Sequence, residues 1–187
     1  FFFRDPDRTI PLSPNVLVAP ADGKIVAIDT LDTHPFVGGP TIQVSIFLSV
    51  FDVHINRVPT SGTINYVKYN PGKFLAAFKD KASEVNEQTE IGMTAENGQK
   101  IAFKQIAGLI ARRIVCTLKE QDRVTAGDRC GMIRFGSRTD LLVPVDSKLE
   151  VKLGDRVKGG KSVIGRLSGR TENSGSPASE TRGDARL

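Results

Sequence analysis

A glycine followed by a serine, Gly136-Ser137, is the pair in this chain whose residue types could do chemistry on the backbone itself. Glycine has no Cβ, so the Ser137 hydroxyl has open access to the Gly136 carbonyl carbon. Attack there would move the acyl group from nitrogen to oxygen, and a strained peptide bond would favour that shift. The alternative is structural, because a glycine within a strand pattern commonly marks a β-bulge. The pair alone leaves both interpretations open.

Histidine is scarce, and only His34 and His54 are present. A base that titrates near neutral pH would therefore be one of these two. His34 lies in a loop rich in proline and glycine, and we expect it at the surface. His54 lies in the segment 52–59, directly after a predicted strand, where rigid scaffolds present reactive groups. A partly buried histidine bonded to the backbone is the structural alternative for His54.

A carboxylate at Asp22 would complete a set of nucleophile, base and orienting acid with Ser137 and His54. Asp22 lies in the turn 20–23, and stabilising its own turn is also a sufficient reason for an aspartate. Spacing along the chain does not show that the three side chains meet. The motif G-x-S-x-G is absent around Ser137, which argues against an α/β-hydrolase.

Short predicted strands, with turn signals about 8–12 residues apart, must position these side chains. This pattern is typical of an all-β sandwich or barrel. The predicted strands, in order, are 16–18, 24–28, 42–48, 64–69, 91–94, 101–106, 109–118, 124 onward, 132–135, 141–143, 149–153 and 162–167. We expect a hairpin-like opening over 16–28, a hairpin around Asn97-Gly98, and a helical turn within 73–86. Residues 1–167 would form one domain, and 168–187, which are nearly devoid of apolar side chains, a disordered tail.

Residues 20–25 show a weak sequence similarity to residues 144–149. The segments 18–28 and 149–167 resemble the two hairpins of lipoyl and biotinyl carrier domains. We therefore expect a mainly β fold of the barrel-sandwich type with few or no helices. A carrier function needs an isolated lysine at an exposed hairpin tip, whereas Lys24, Lys104 and Lys148 lie within strand patterns.

Composition favours one basic domain. A chain of 187 residues with 39% hydrophobic residues is long enough for one core. The net charge of +5 indicates an anionic partner, either nucleic acid or a membrane surface. No run of basic residues with interleaved aromatics is present, so the membrane is favoured. Cys116 and Cys130 form no disulfide framework and are interpreted as small core residues of a protein from a reducing compartment.

The chain starts at Phe1 rather than methionine, so we expect that something upstream is missing. Residues 1–3 are all phenylalanine and would end a hydrophobic segment, with Arg4 and Arg8 at lipid headgroups. The sequence contains no uncharged apolar run of about 18 residues, the length typical of a membrane-spanning helix.

Ten short segments are informative when they are taken together. They are, in order, Phe2–Pro6, Ala19–Gly23, Asp52–His54, Asn56–Pro59, Asn70–Gly72, Lys81–Ser83, Asn86-Glu87, Gln105–Gly108, Ala111–Ile114 and Gly136-Ser137. The set resembles the phosphatidylserine decarboxylase family, in its short bacterial type. Their order and spacing, rather than any single motif, carry the resemblance.

The resemblance implies a pyruvoyl enzyme. Ser137 would attack the carbonyl of Gly136, and β-elimination and hydrolysis would leave an N-terminal pyruvoyl group at position 137 with loss of ammonia. The β chain would be residues 1–136, and the α chain would start at residue 137. The pyruvoyl ketone would form a Schiff base with phosphatidylserine and take up electrons as carbon dioxide leaves, giving phosphatidylethanolamine. His54 and Asp22 would be the base and its orienting partner.

Two departures from the long-type members are visible. Those members carry Leu-Gly-Ser-Thr, whereas residues 135–138 here are Phe-Gly-Ser-Arg, with the cleavage pair intact. They also have a second histidine where this chain has Arg57. His54 would then serve both self-cleavage and the return of a proton to the product.

We expect a phospholipid substrate, peripheral attachment at the cytoplasmic side of the cell membrane, a homo-oligomer of cleaved chains, and neither metal nor nucleic acid. Arg57, Arg112 and Arg113 are candidates for the substrate phosphate, with solvated strand charges as the alternative. The alternative functions are a soluble pyruvoyl-dependent amino-acid decarboxylase and a carrier module of the lipoyl or biotinyl kind.

Overall fold

The computed structural model describes residues 6–11, 13–72, 86–108, 114–133 and 136–169. These residues form a mainly β structure without helices, as expected from the sequence. The strands, in chain order, are β1 (Val16–Val18), β2 (Gly23–Leu31), β3 (Thr41–Leu48), β4 (Ile55–Arg57), β5 (Gly62–Asn70), β6 (Gln88–Ala95), β7 (Lys100–Ile106), β8 (Ile114–Cys116), β9 (Arg123–Val124), β10 (Arg129–Ile133), β11 (Ser137–Pro144), β12 (Lys148–Leu149), β13 (Arg156–Val157) and β14 (Val163–Arg166).

The strands pair antiparallel in three sheets. The largest sheet is curled into a half-barrel of eight strands in the order β13-β2-β3-β11-β7-β6-β5-β9. The two smaller sheets have the orders β1-β14-β12 and β4-β10-β8. Because β14 pairs with β1 and β13 pairs with β2, the end of the described chain is joined to its beginning.

Strand β11 lies in the middle of the largest sheet. It pairs with β3 along its whole length, from Ser137 opposite Leu48 to Pro144 opposite Thr41, and with β7 on its other edge. Its side chains are buried on both faces of the sheet. On one face, Leu141 and Val143 belong to the main hydrophobic core, which gains its stability from the apolar surface removed from water.

The other face of β11 carries buried charges that are paired. Arg138 Nε lies 2.6 Å from Asp140 Oδ1, and Arg138 Nη2 donates to Ser45 Oγ at 2.6 Å. The strand register places Asp140 between Ser45 and Lys104, and Lys104 Nζ lies 3.0 Å from Glu90. Burial raises the pKa of the Asp140 carboxyl, and Arg138 opposes that rise. Breaking one partner of such a buried pair would leave an uncompensated charge.

Two predictions about the opening segments are wrong. β1 and β2 do not form a hairpin, because β1 pairs with β14 while β2 pairs with β3 and β13. His34 is buried rather than at the surface. Its Nδ1 accepts hydrogen bonds from the backbone N–H groups of Phe36 and Val37, both at 3.3 Å, and its Nε2 lies 3.8 Å from Glu90. The turn therefore folds the imidazole inward against the sheet.

Other predictions about elements are confirmed. β6 and β7 form the hairpin expected around Asn97-Gly98, and the alternating residues of β3 bury Val44 and Ile46 in the core. Cys130 is buried, and both cysteines are free. The helical turn expected within 73–86 lies outside the described residues except for Asn86, and so does the expected tail beyond residue 169.

Phe103→Ala should lower the free energy of unfolding by about 3–5 kcal/mol, because Phe103 is a fully buried core residue of β7. Urea unfolding of the variant and the wild type measures this difference. The matched control is Phe51→Ala, since Phe51 is 74% exposed and its removal should change stability by less than ~0.5 kcal/mol. Equal losses of stability in the two variants would contradict the difference in burial between Phe103 and Phe51.

Candidate active site

Ser137 is the first residue of β11, and its side chain is completely buried. Its Oγ forms no hydrogen bond with any residue that the structure describes. Burying a hydroxyl without a partner is unfavourable, so the position of this side chain is imposed by the strand pairing with β3. The strand therefore holds the Ser137 hydroxyl at a fixed place without a hydrogen bond to a described residue.

Gly136 has a φ of +60°, in the left-handed region that side chains other than glycine rarely adopt. Apart from its chain neighbours, no described residue lies within 4 Å of the place where a Cβ would be. The pairing of β11 with its neighbours starts at residue 137 or 138 and shows no register shift, so Gly136 precedes the strand rather than bulging from it. The strand register therefore does not support the alternative interpretation of Gly136-Ser137 as a β-bulge.

His54 lies on a chain segment that contacts the backbone of Ile133. Ile133 is three residues before Gly136 in the chain. The backbone N–H of Ile133 donates to the carbonyl of His54 at 3.4 Å, and the next residue, Ile55, pairs with Met132. The side chain is 2% exposed. Burial lowers the pKa of His54, against the effects of backbone groups of Val50 and Ile133 and of nearby carboxylates. The imidazole is therefore neutral at neutral pH, which is the form that can accept a proton.

Asp22 interacts with His54 through its charge, which acts to raise the histidine pKa. Its hydrogen bonds within the described residues go elsewhere. Arg8 binds both carboxylate oxygens, with Nη2 donating to Oδ2 at 2.9 Å, and the N–H of Gly159 donates to Oδ1 at 2.8 Å. Arg8 also donates to the carbonyl of Gly159 at 2.6 Å. The side chain of Arg8 is 7% exposed, so the expectation that it lies at lipid headgroups is wrong.

Asp52 is the carboxylate that shapes the segment leading to His54. Its Oδ2 accepts hydrogen bonds from the N–H and the hydroxyl of Ser49, each at 2.8 Å, and its Oδ1 lies 3.3 Å from Arg156. Its charge also raises the pKa of His54. Since Ser49 directly follows β3, these contacts tie the histidine segment to the strand that pairs with Ser137.

The predicted phosphate-binding arginines have different outcomes. Arg57 is buried, and its Nη1 donates to the carbonyl of Gly127 at 2.9 Å. This contact supports a structural role for at least part of the guanidinium. Arg112 and Arg113 lie outside the described residues.

An open cleft of about 420 Å³ adjoins the carboxylates of Asp22 and Asp52. Its lining includes Lys158 and Lys161, which are exposed, and Phe51, which is 74% exposed. The cleft thus combines cationic and aromatic side chains beside the segment that carries His54.

Within the described ranges, no group of three or more histidine, cysteine, aspartate or glutamate side chains is arranged to hold a metal ion. Over the same part of the chain, no helix is long and apolar enough to cross a membrane.

Residues 1–165 match the family model described as phosphatidylserine decarboxylase. The phosphatidylserine decarboxylase proenzyme of Symbiobacterium thermophilum is 50% identical over 89% of this chain and 78% of its own length. The proenzyme of Desulfotalea psychrophila is 47% identical over the same shares. That of Salinibacter ruber is 46% identical over 100% of this chain and 85% of its own length. With a matching family model and relatives of this similarity over most of its length, the chain belongs to the phosphatidylserine decarboxylase family and is a carboxy-lyase.

Proposed function

We propose that this protein converts phosphatidylserine to phosphatidylethanolamine with a pyruvoyl group that it makes from its own Ser137. The observation that carries the proposal is the buried Ser137 hydroxyl without a hydrogen-bond partner among the described residues, adjacent to a glycine in a left-handed conformation. Family membership supports the overall reaction, and the residues at 136 and 137 support its chemistry.

Self-cleavage begins with attack of Ser137 Oγ on the carbonyl carbon of Gly136. The C–N bond breaks, an ester forms, and the hydroxyl proton passes through His54 to the freed amine of residue 137. Loss of the α-proton of residue 137 then breaks the Cβ–O bond and releases the Gly136 carboxylate. The dehydroalanine that remains takes up water and loses ammonia, which leaves a pyruvoyl group at the new N-terminus.

The surroundings of Ser137 fit such a group. The hydroxyl gives up no hydrogen bond to a described residue when it is converted, so the conversion breaks no hydrogen bond within that part of the chain. When present, the pyruvoyl group supplies an electron sink for the electrons left on the substrate when carbon dioxide leaves. The strand pairing of β11 holds position 137 in place. The neutral imidazole of His54, on the segment bonded to Ile133, would move the proton.

Ser137→Ala should abolish self-cleavage, because no oxygen nucleophile remains at the scissile bond. Purified wild-type protein should contain two pieces that separate after Gly136, and the variant one intact chain, as measured by intact mass. Ser147→Ala is the matched control, since Ser147 is also a buried serine whose Oγ has no partner in the described part of the chain. A wild-type chain that stays whole after prolonged incubation would contradict the proposal.

His54→Ala should slow self-cleavage by ~10²–10⁴-fold, the usual contribution of a positioned base. The time course of intact mass after refolding measures the rate. His34→Asn serves as the control, because an asparagine oxygen can replace the Nδ1 acceptor of this buried histidine. Cleavage of the His54 variant at the wild-type rate would assign the deprotonation to another group.

The rate of self-cleavage should also depend on pH in a defined direction. Because burial lowers the pKa of His54, its neutral form persists to lower pH than that of an exposed histidine. We expect the rate to stay constant from neutral pH through the ordinary histidine range and to fall only at more acid pH. A fall centred at or above the ordinary histidine pKa would contradict the role given to the buried imidazole.

We further propose that the protein meets its substrate at an anionic membrane surface. Lys158 and Lys161 are exposed beside the cleft, and the exposed ring of Phe51 lies at the same place. Each cation near such a surface contributes about 1 kcal/mol of attraction, and salt screens it over ~8 Å. This arrangement would present a lipid headgroup to the segment that carries His54.

Replacing both Lys158 and Lys161 by glutamate should weaken cosedimentation with vesicles that contain anionic phospholipid, and raising the salt concentration should weaken the binding of the wild type. The control is Lys119→Glu combined with Lys100→Glu. Lys119 is exposed and lies just before β9, at the opposite edge of the largest sheet from β13, and Lys100 is exposed at the start of β7. Equal binding to neutral vesicles at high salt would exclude the electrostatic contribution.

A further inference from the structure

Three buried polar side chains near Ser137 have hydrogen-bonding atoms that no described residue satisfies. Asn56, Gln105 and Thr139 are each 1% or less exposed. The atoms without a partner in the described part of the chain are Asn56 Nδ2, Gln105 Oε1 and Thr139 Oγ1. Polar groups buried this deeply are nearly always hydrogen-bonded, so a cluster of three exceptions calls for an explanation.

The two amides orient each other. Gln105 Nε2 donates to Asn56 Oδ1 at 2.9 Å and to the carbonyl of Val115 at 3.3 Å. Gly131, opposite Asn56 in the β4–β10 pairing, makes room for this arrangement, because a Cβ there would lie 2.9 Å from Gln105 Nε2. With these atoms engaged, a donor on Asn56 and an acceptor on Gln105 are left available.

The cluster continues to both reactive residues of the proposed site. Thr139 is opposite Gln105 in the pairing of β11 with β7, so their side chains are neighbours on one face of the sheet. Ser137 lies two residues before Thr139 on the same strand, and its side chain points to the same face. His54 lies two residues before Asn56 in the chain. The polar cluster therefore lies between the segments that carry Ser137 and His54.

We propose that Asn56, Gln105 and Thr139 form the subsite for the amino-acid end of the substrate. The Asn56 amide and the Thr139 hydroxyl donate to the carboxylate that is lost as carbon dioxide, and Gln105 Oε1 accepts from the substrate nitrogen. Two donors and one acceptor match a carboxylate and an amine on the same carbon. The residues bind and orient this end of the substrate, and the inference rests on the proposed function.

The subsite distinguishes substrate from product. Phosphatidylserine has the carboxylate, whereas phosphatidylethanolamine lacks it and has the same amine and phosphate. Removing a carboxylate donor should therefore weaken binding of the substrate and leave binding of the product unchanged. A general disturbance of the site would weaken both.

The test compares Thr139→Val and Asn56→Leu with the wild type, after intact mass has shown complete self-cleavage of each. With a soluble short-chain phosphatidylserine, the KM should rise about tenfold in each variant, as expected for loss of a hydrogen bond to a charged group. The inhibition constant of short-chain phosphatidylethanolamine should stay unchanged. Thr139→Ser keeps the hydroxyl and should restore the wild-type KM.

The proposed subsite would be wrong if the KM of the serine lipid and the inhibition constant of the ethanolamine lipid rose in parallel. It would also be wrong if the KM stayed unchanged. A second measurement separates this outcome from failure of the proposed function. In the Ser137→Ala protein, which cannot make the pyruvoyl group, calorimetry should show that the short-chain serine lipid binds more tightly than the ethanolamine lipid. Thr139→Val in that background should remove the preference, and a preference that survives would overturn the subsite even if no self-cleavage occurs in the wild type.

Discussion

The backbone pairing of β11 on both of its edges is the constraint on which the site depends. It fixes Ser137 opposite Leu48 at the end of β3, and the chain then runs from Leu48 to His54 through a segment closed by Asp52 and Ser49. The pairing also places Thr139 beside Gln105. The Ser137 side chain makes no hydrogen bond to a described residue, so its position is set by the backbone pairing of its strand.

Burial then sets the chemical state of the groups that β11 and its neighbours bring together. It lowers the pKa of His54, so that this imidazole is a base, and it raises the pKa of Asp140, whose charge depends on Arg138. The two residues lie on different structural elements and serve different ends. His54 is proposed to carry the proton of the reaction, whereas the ion pair of Asp140 and Arg138 lies on the face of β11 opposite to that of Ser137.

Local patterns in the sequence were sufficient to predict part of this structure. The alternation in β3 and the Asn97-Gly98 turn predicted their elements correctly. The chemistry of Gly136-Ser137 and the scarcity of histidine led to the residues proposed as the centre of the site, and their roles stay a prediction. Contacts between distant segments were not predictable in this way. The Asn56–Gln105 bond joins residues 49 apart and depends on the register of two sheets. The opening hairpin was predicted wrongly because the turn after β1 leads to a strand of another sheet.

The pairing of early strands with late strands has a consequence for the proposed self-cleavage. Within the described residues, four pairings link the chain before Gly136 to the chain after it, namely β3–β11, β7–β11, β2–β13 and β1–β14. A chain cut at this bond would keep its shape, and the same pairings must exist before the hydroxyl can reach its target. Self-cleavage would then occur only in correctly folded molecules, and it would be irreversible. A misfolded copy would stay uncut and would lack activity. The fraction of cut chains in a cell would therefore equal the fraction of molecules that had folded.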